Sequence, residues 1–209
     1  MHERSLGEQF DSLERQSDTL RFGMWLFLAS ELLLFSGLFA LYAAYRGEYG
    51  QEFTQALHQN TVAYGTANMY VLLTSSFCVA LAVRDMRRGA QRMAAGWLLV
   101  GALLGTAFLV IKALEYRVHI QEGALPGQYY HFARAASLGG NRFYTMYWVT
   151  TGAHALHVTG GIGVLLWTAL HALQGRYAAD DHARFENATL YWHFVDVMWI
   201  FIWPIYYLA

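Results

Sequence analysis

Seven ionisable side chains lie inside long apolar runs of the sequence: Glu31, Lys112, Glu115, His154, His157, His193 and Asp196. Several chemistries use such groups. Histidines on facing helices at one depth can ligate haem. A carboxylate-bridged di-iron site needs Glu-x-x-His pairs on two helices plus two further glutamates. Acids, histidines and lysine inside a membrane can carry protons, or can tie helices together as plain structural contacts. Spacing and depth sort these options. No Glu-x-x-His occurs in the apolar runs, so the di-iron set is missing. His157 and His193 are the pair to weigh as haem ligands. At about 1.5 Å per residue they miss a common depth by roughly 9 Å, comparable with the error in placing helix ends, so a b-type membrane cytochrome stays open as a remote alternative. A hydrolase has no support, because no G-x-S-x-G is present and the histidines lack a nucleophile partner.

The elements that must position these groups are long helices. Five apolar segments, at about 22–45, 64–83, 94–117, 143–171 and 185–208, each reach the roughly 20 residues that cross a hydrocarbon core. Their apolar runs are continuous, whereas barrel strands would alternate. The chain is 14% charged and 56% hydrophobic. A soluble domain carries about 25% charged residues. The fold class is therefore all-α, a polytopic five-transmembrane-helix bundle forming one membrane domain over 1–209, with 1–21 as a polar N-terminal segment. That segment is too polar and acidic to read as a signal peptide. Net charge is −1, which excludes a polybasic nucleic-acid surface, and the single cysteine, Cys78, excludes an internal disulfide. No inverted repeat argues for a transporter.

The connections carry turn signals. Pro126-Gly127 and Gly139-Gly140 mark turns in the long link between the third and fourth helices. Small residues at Gly101, Gly105, Gly160, Gly161 and Gly163 predict close helix approach. Orientation follows from the basic residues. With the N-terminus cytoplasmic, the inner side holds nine arginines (Arg4, Arg15, Arg21, Arg84, Arg87, Arg88, Arg92, Arg176, Arg184) and the outer side four (Arg46, Arg117, Arg134, Arg142). That places the N-terminus on the cytoplasmic side of the membrane and the C-terminus on the external side.

Depth then separates the ionisable groups into an inner tier, Glu31, His193 and Asp196, and an outer tier, Lys112, Glu115 and His154, with His157 between them. Lys112/Glu115 and His193/Asp196 are i, i+3 pairs, close enough to touch. Pairing across helices would keep any lone charge away from lipid, and a protonated Glu31 is the alternative for that site.

As strings of residues, "GMWLFLASELLLFSGLFALY", "FLVIKALEY", "TGAHALHVTGGIG" and "FENATLYWHFVDVMWIFIWPIYYL" resemble segments of subunit III of the haem–copper terminal oxidases, in the family's order and on four of the five helices. The remaining helix, "ANMYVLLTSSFCVALAV", is similar more weakly. The resemblance implies a non-catalytic subunit with no metal or haem of its own. Haem and copper belong to the catalytic subunit I beside it. It also implies bound phospholipid, support of sustained proton uptake, other oxidase subunits as partners and a place in a respiratory supercomplex. Carried onto this chain, it implies a buried polar cluster of Glu31, His154, His157, His193 and Asp196, with Trp199 in the last-helix signature. Lys112 and Glu115 form an outer helix pair. Arg176, His182, Phe185 and Glu186 are the candidates for holding lipid headgroups. The long form of the family has seven helices and this chain shows five, which matches the short bacterial form and leaves one wall of the family's lipid cleft to another component. The wording of the last helix and Glu31 resemble the cytochrome c type more than the quinol type. The five-helix form also fits an accessory membrane protein of nitric oxide reductase.

Overall fold

In a computed structural model, which describes residues 12–177 and 183–208, the described residues form helices joined by turns, with one isolated antiparallel bridge between Ala124 and Tyr130. The long ones are α1 (Leu13–Glu48), α3 (Val62–Arg87), α4 (Gln91–Gln121), α5 (Leu138–Leu173) and α6 (Ala183–Tyr207); α2 (Gly50–Leu57) is a short extra helix. Five are long and apolar enough to cross a membrane. Each span lies where the apolar runs place it, but most run past them at the ends. Polar residues extend these helices beyond the hydrocarbon. Ser12 caps α1 by accepting from the Arg15 amide, so the helix begins inside the polar N-terminal segment 1–21.

Helices α3, α4, α5 and α6 close a ring, each packed on two neighbours, and α1 lies outside it against α5 and α6. Two glycines of α4 allow close approaches. A Cβ on Gly105 would stand 2.5 Å from the Trp192 indole, and one on Gly101 would stand 2.9 Å from Val79. Gly161 on α5 meets the same indole. Gly163 touches nothing and Gly160 reaches only the Tyr191 hydroxyl at 3.7 Å, so of that glycine group one position does the packing. Gly139-Gly140 is not a turn either. Both residues lie in the first turn of α5, where Ser137 caps the helix and the Glu52 carboxylate accepts from the Gly139 amide at 2.6 Å. Glycine is required at 139 because the Glu52 and Tyr49 side chains press within 2.7 Å of the space its Cβ would fill.

Helix α1 is apolar on every side, yet only one stripe is covered. Leu28, Phe35 and Tyr42 are buried, and Met24, Glu31, Leu38 and Tyr45 are half-buried between and beside them. These seven residues alternate steps of three and four, the seam of a helix wrapped on a neighbour. Leu33 and Leu34, off that stripe, are exposed. Polar ties fix α1 at three heights. Arg21 meets Glu186 and the Asn187 amide donates to the Leu20 carbonyl at one end; Glu31 meets His157 midway; Tyr42 donates to the Ile205 carbonyl near the other.

The link between α4 and α5 folds back as two 3-10 turns, Gly127–Tyr129 and Ala133–Ala135. Burial pushes the Tyr130 phenol up to about 12, which keeps it a donor to the Ala135 carbonyl at 2.6 Å.

Candidate functional site

The ionisable residues form separate sites rather than one cluster. The first joins α1 to α5. His157 donates from Nδ1 to the Ala153 carbonyl, one turn back, at 2.7 Å. That bond fixes the ring's orientation and leaves Nε2 for Glu31 Oε2, also at 2.7 Å. The contact is closed by one proton, held either as imidazolium against carboxylate or as carboxylic acid against neutral imidazole. Either way the pair carries no net charge. Phe35 packs edge-on against the His157 ring at 5.3 Å. With both nitrogens engaged, His157 has no free position for a metal.

The second site spans α4, α5 and α6. Lys112 donates to Glu115 Oε2 at 2.9 Å, to the Tyr147 hydroxyl at 2.8 Å and to the Tyr207 hydroxyl at 2.9 Å. Those contacts use all three of its N–H donors. Tyr207 in turn donates to Glu115 Oε1 at 2.7 Å. The ammonium also lies over the rings of Tyr116, Tyr147, Trp199 and Tyr207 at 4.5–5.6 Å. Lys112 and Glu115 are each 1% exposed, so this is a fully desolvated ion pair with its remaining valences filled. The i, i+3 spacing pointed to Lys112 with Glu115; the two tyrosines were not among the expected site residues.

His154 does not join this pair or Glu31. It is buried in an aromatic cage, stacked on Trp199 at 5.2 Å with Phe108 edge-on at 5.5 Å, and neither ring nitrogen has a partner among the described residues. His193 bonds through Nδ1 to the Ser76 hydroxyl of α3 at 2.8 Å. Asp196, one turn further along α6, is 3% exposed with both oxygens unpartnered. Across helices, Glu31 meets His157, His193 meets Ser76, and Lys112 reaches Tyr147 and Tyr207 besides Glu115 of its own helix, whereas His154 and Asp196 have no hydrogen-bond partner among the described residues.

The third feature is a groove of about 390 Å³ between α1, α3 and α6. Its walls include Trp25, Ala80, Val83, Leu190 and His193. At its mouth Arg21 and Arg87 both reach Glu186, at 3.3 and 3.0 Å. Two guanidiniums on one carboxylate leave an excess positive charge. Of the headgroup candidates, Glu186 is here. Phe185 is not available to a headgroup: it is wholly buried, packed on Tyr177 at 5.6 Å. Arg176 stands apart from the groove beside His171 at 3.3 Å, and His182 lies outside the described residues. Arg21 and Arg87 were read only as orientation markers. The signal that they share a site is long-range pairing, which no local spacing carries.

The family model for cytochrome c oxidase subunit III matches residues 9–209. This chain belongs to that family. As a subunit III of a haem–copper oxidase, it has relatives of both donor types. It is 32% identical to the quinol oxidase subunit 3 of Bacillus spizizenii over 201 residues, covering 94% of this chain and 91% of the relative. It is 31% identical to the cytochrome c oxidase subunit 3 of Bacillus sp. strain PS3, covering 99% and 96%. The cytochrome bo(3) ubiquinol oxidase subunit 3 of Pseudomonas aeruginosa is 29% identical, covering 97% and 91%. The polar contacts of this subunit III thus sit in a chain of the family's short form, with five spans.

Proposed function

We propose that this subunit III is a non-catalytic part of a proton-pumping oxidase, seating phospholipid against the α1–α3–α6 groove and sustaining proton uptake by the catalytic subunit I beside it. The groove carries the proposal. Its mouth offers the excess cationic charge of Arg21 and Arg87 over Glu186, and its walls are largely apolar. That combination suits a phosphate with an acyl chain below it. The excess of basic residues at this end supports a cytoplasmic position for it and for the N-terminus. Haem and copper lie on subunit I, and any supercomplex forms around that core.

The experiment is purification of the tagged chain from native membranes with its complex. A reduced-minus-oxidised spectrum showing a-type haem beside a large catalytic subunit supports the oxidase assignment; recovery of nitric oxide reductase, or a b-type haem signal tracking this chain alone, refutes it. Lipid analysis of the same complex carrying Arg21→Ala/Arg87→Ala should show loss of bound anionic phospholipid, and unchanged lipid content removes the groove from the proposal. Cytochrome c is the donor we assign, from the last-helix wording. The quinol oxidase relatives at similar identity favour quinol as the second reading. Oxygen consumption with each donor separates the two.

A further inference from the structure

Asp196 is a buried carboxylic side chain whose place nothing above explains. It lies near the middle of α6, 3% exposed, with neither oxygen hydrogen-bonded. Among the described residues no basic group forms an ion pair with it, and the charged and titratable groups on the surrounding helices are committed elsewhere. Glu31 of α1 is bound to His157 of α5. Lys112 of α4 is bound to Glu115. Asp85 of α3 is bound to Arg84 and Trp97. His154 of α5 is stacked on Trp199. An ionised carboxylate without partners in such a place is costly by several kcal/mol, and the group avoids that cost by holding a proton.

A route for that proton is also present. Ser76 bonds to His193 Nδ1 at 2.8 Å, and its hydroxyl also faces the Asp196 carboxyl, outside hydrogen-bonding geometry. A hydroxyl is a rotor with one donor and two acceptor sites. His193 is half-buried and lines the groove. Its Nδ1 is the nitrogen bonded to Ser76, and its Nε2 has no hydrogen-bond partner among the described residues. The order is groove, His193, Ser76, Asp196.

We propose that Asp196 is a proton-binding site, loaded and unloaded from the groove through His193 and the rotating hydroxyl of Ser76. The transfer is a proton exchange without redox change. His193 takes a proton at Nε2 and releases the one on Nδ1 to the Ser76 oxygen, and Ser76 passes its own proton to the Asp196 carboxylate; unloading runs the same steps in reverse, releases the Nε2 proton to the groove and so restores the Nδ1–H tautomer of His193. This inference depends on neither the electron donor nor lipid in the groove.

The test is infrared spectroscopy of the purified complex before and after transfer to heavy water. Asp196→Asn should remove one protonated-carboxyl band, and Asp196→Glu should displace it. In the wild-type chain that band should shift as its proton exchanges for deuterium. Ser76→Ala should slow the shift by about a hundredfold, the lower end of what a positioned proton-transfer group contributes. His193→Gln, which keeps a hydrogen bond but cannot titrate, should slow it similarly. If neither Asp196 variant changes the protonated-carboxyl region, the site is not a bound proton and the proposal falls. If the band is assigned but its exchange is unaffected in both relay variants, the route is wrong and the proposal fails there. Lipid content, read on the same samples, reports on the groove independently.

Discussion

Removing the ammonium of Lys112 should be the most destabilising polar substitution in the bundle. Lys112→Met keeps the length of the side chain and deletes its charge and its three donors. Glu115 then keeps the Tyr207 hydroxyl on Oε1, with His119 Nε2 3.9 Å away, and Oε2 loses its hydrogen bond from Lys112. Breaking a buried pair by deleting one member costs about 3–5 kcal/mol, because the other charge is left unneutralised. For a chain of this size each kcal/mol moves the midpoint by about 2–4 °C, so the drop is about 6–20 °C. Lys112→Met/Glu115→Gln removes both charges. What remains is the loss of the lysine's bonds to Tyr147 and Tyr207, at about 1 kcal/mol each. The double variant should therefore be more stable than Lys112→Met.

A fluorogenic thiol dye gives the readout on the purified chain in detergent. Cys78 is the only cysteine and is 6% exposed, so labelling follows unfolding. A double variant that melts below Lys112→Met, by the sum of the single effects, would show that the two charges act independently. That result would refute the pair as the organising contact of α4, α5 and α6.

Three further outcomes follow from the same contacts. Gly105→Ala should destabilise by about 1–3 kcal/mol, since its Cβ meets the rigid Trp192 indole, while Gly96→Ala in the same helix meets nothing and should be neutral or stabilising; the dye midpoint orders them. Glu52→Ala should lower the midpoint by removing the carboxylate that caps α5, about 1 kcal/mol, and Glu52→Asp should not restore it if the reach to the Gly139 amide is what matters. Glu31→Ala should leave initial oxygen reduction near wild type and shorten the number of turnovers before inactivation; immediate loss of activity in an assembled complex would contradict the supporting role.

The spans were legible because twenty apolar residues in a row can mean little else at this composition, and their ends were not, because polar residues outside the hydrocarbon still continue a helix. Helix α2 was missed for a related reason. Eight residues with Gly50 at the start and only Phe53, Ala56 and Leu57 buried look like a link, and its amphipathic face is defined by the α5 surface beneath it. The Lys112–Glu115 pair was legible because both partners lie on one helix. Depth grouped Glu31 with His193 and Asp196 and left His157 between the tiers, so His157 as its partner was not legible from depth; rotation about α1 decided it. Seam spacing carried that information: counting steps of three and four from Leu28 through Phe35 to Tyr42 puts Glu31 on the covered stripe. Arg21, Arg87 and Ser76 left no such trace, since their partners come from other helices.

Helix α1 also shows why an acid is kept in an apolar run. Lipid is as apolar as leucine, so apolarity does not choose which face of an all-apolar helix docks. The choice falls to shape and to polar groups that find partners on one side only. Glu31 bonded to His157 is such a group, at the middle of the span. Glu31→Leu/Leu32→Glu tests this at constant composition. It moves the carboxyl by one residue, about 100° around the helix, from the seam to a position where Leu32 is 51% exposed. Hydropathy and length are unchanged, so a span held by hydrophobicity alone would dock as before. With the acid off the seam, His157 loses its partner and the carboxyl faces lipid, so α1 should detach from α5 and the dye midpoint should fall further than for Glu31→Leu alone. Equal midpoints for the exchange and the single substitution would mean that packing of Leu28, Phe35 and Tyr42 sets the rotation of α1, and that the Glu31–His157 contact is its consequence.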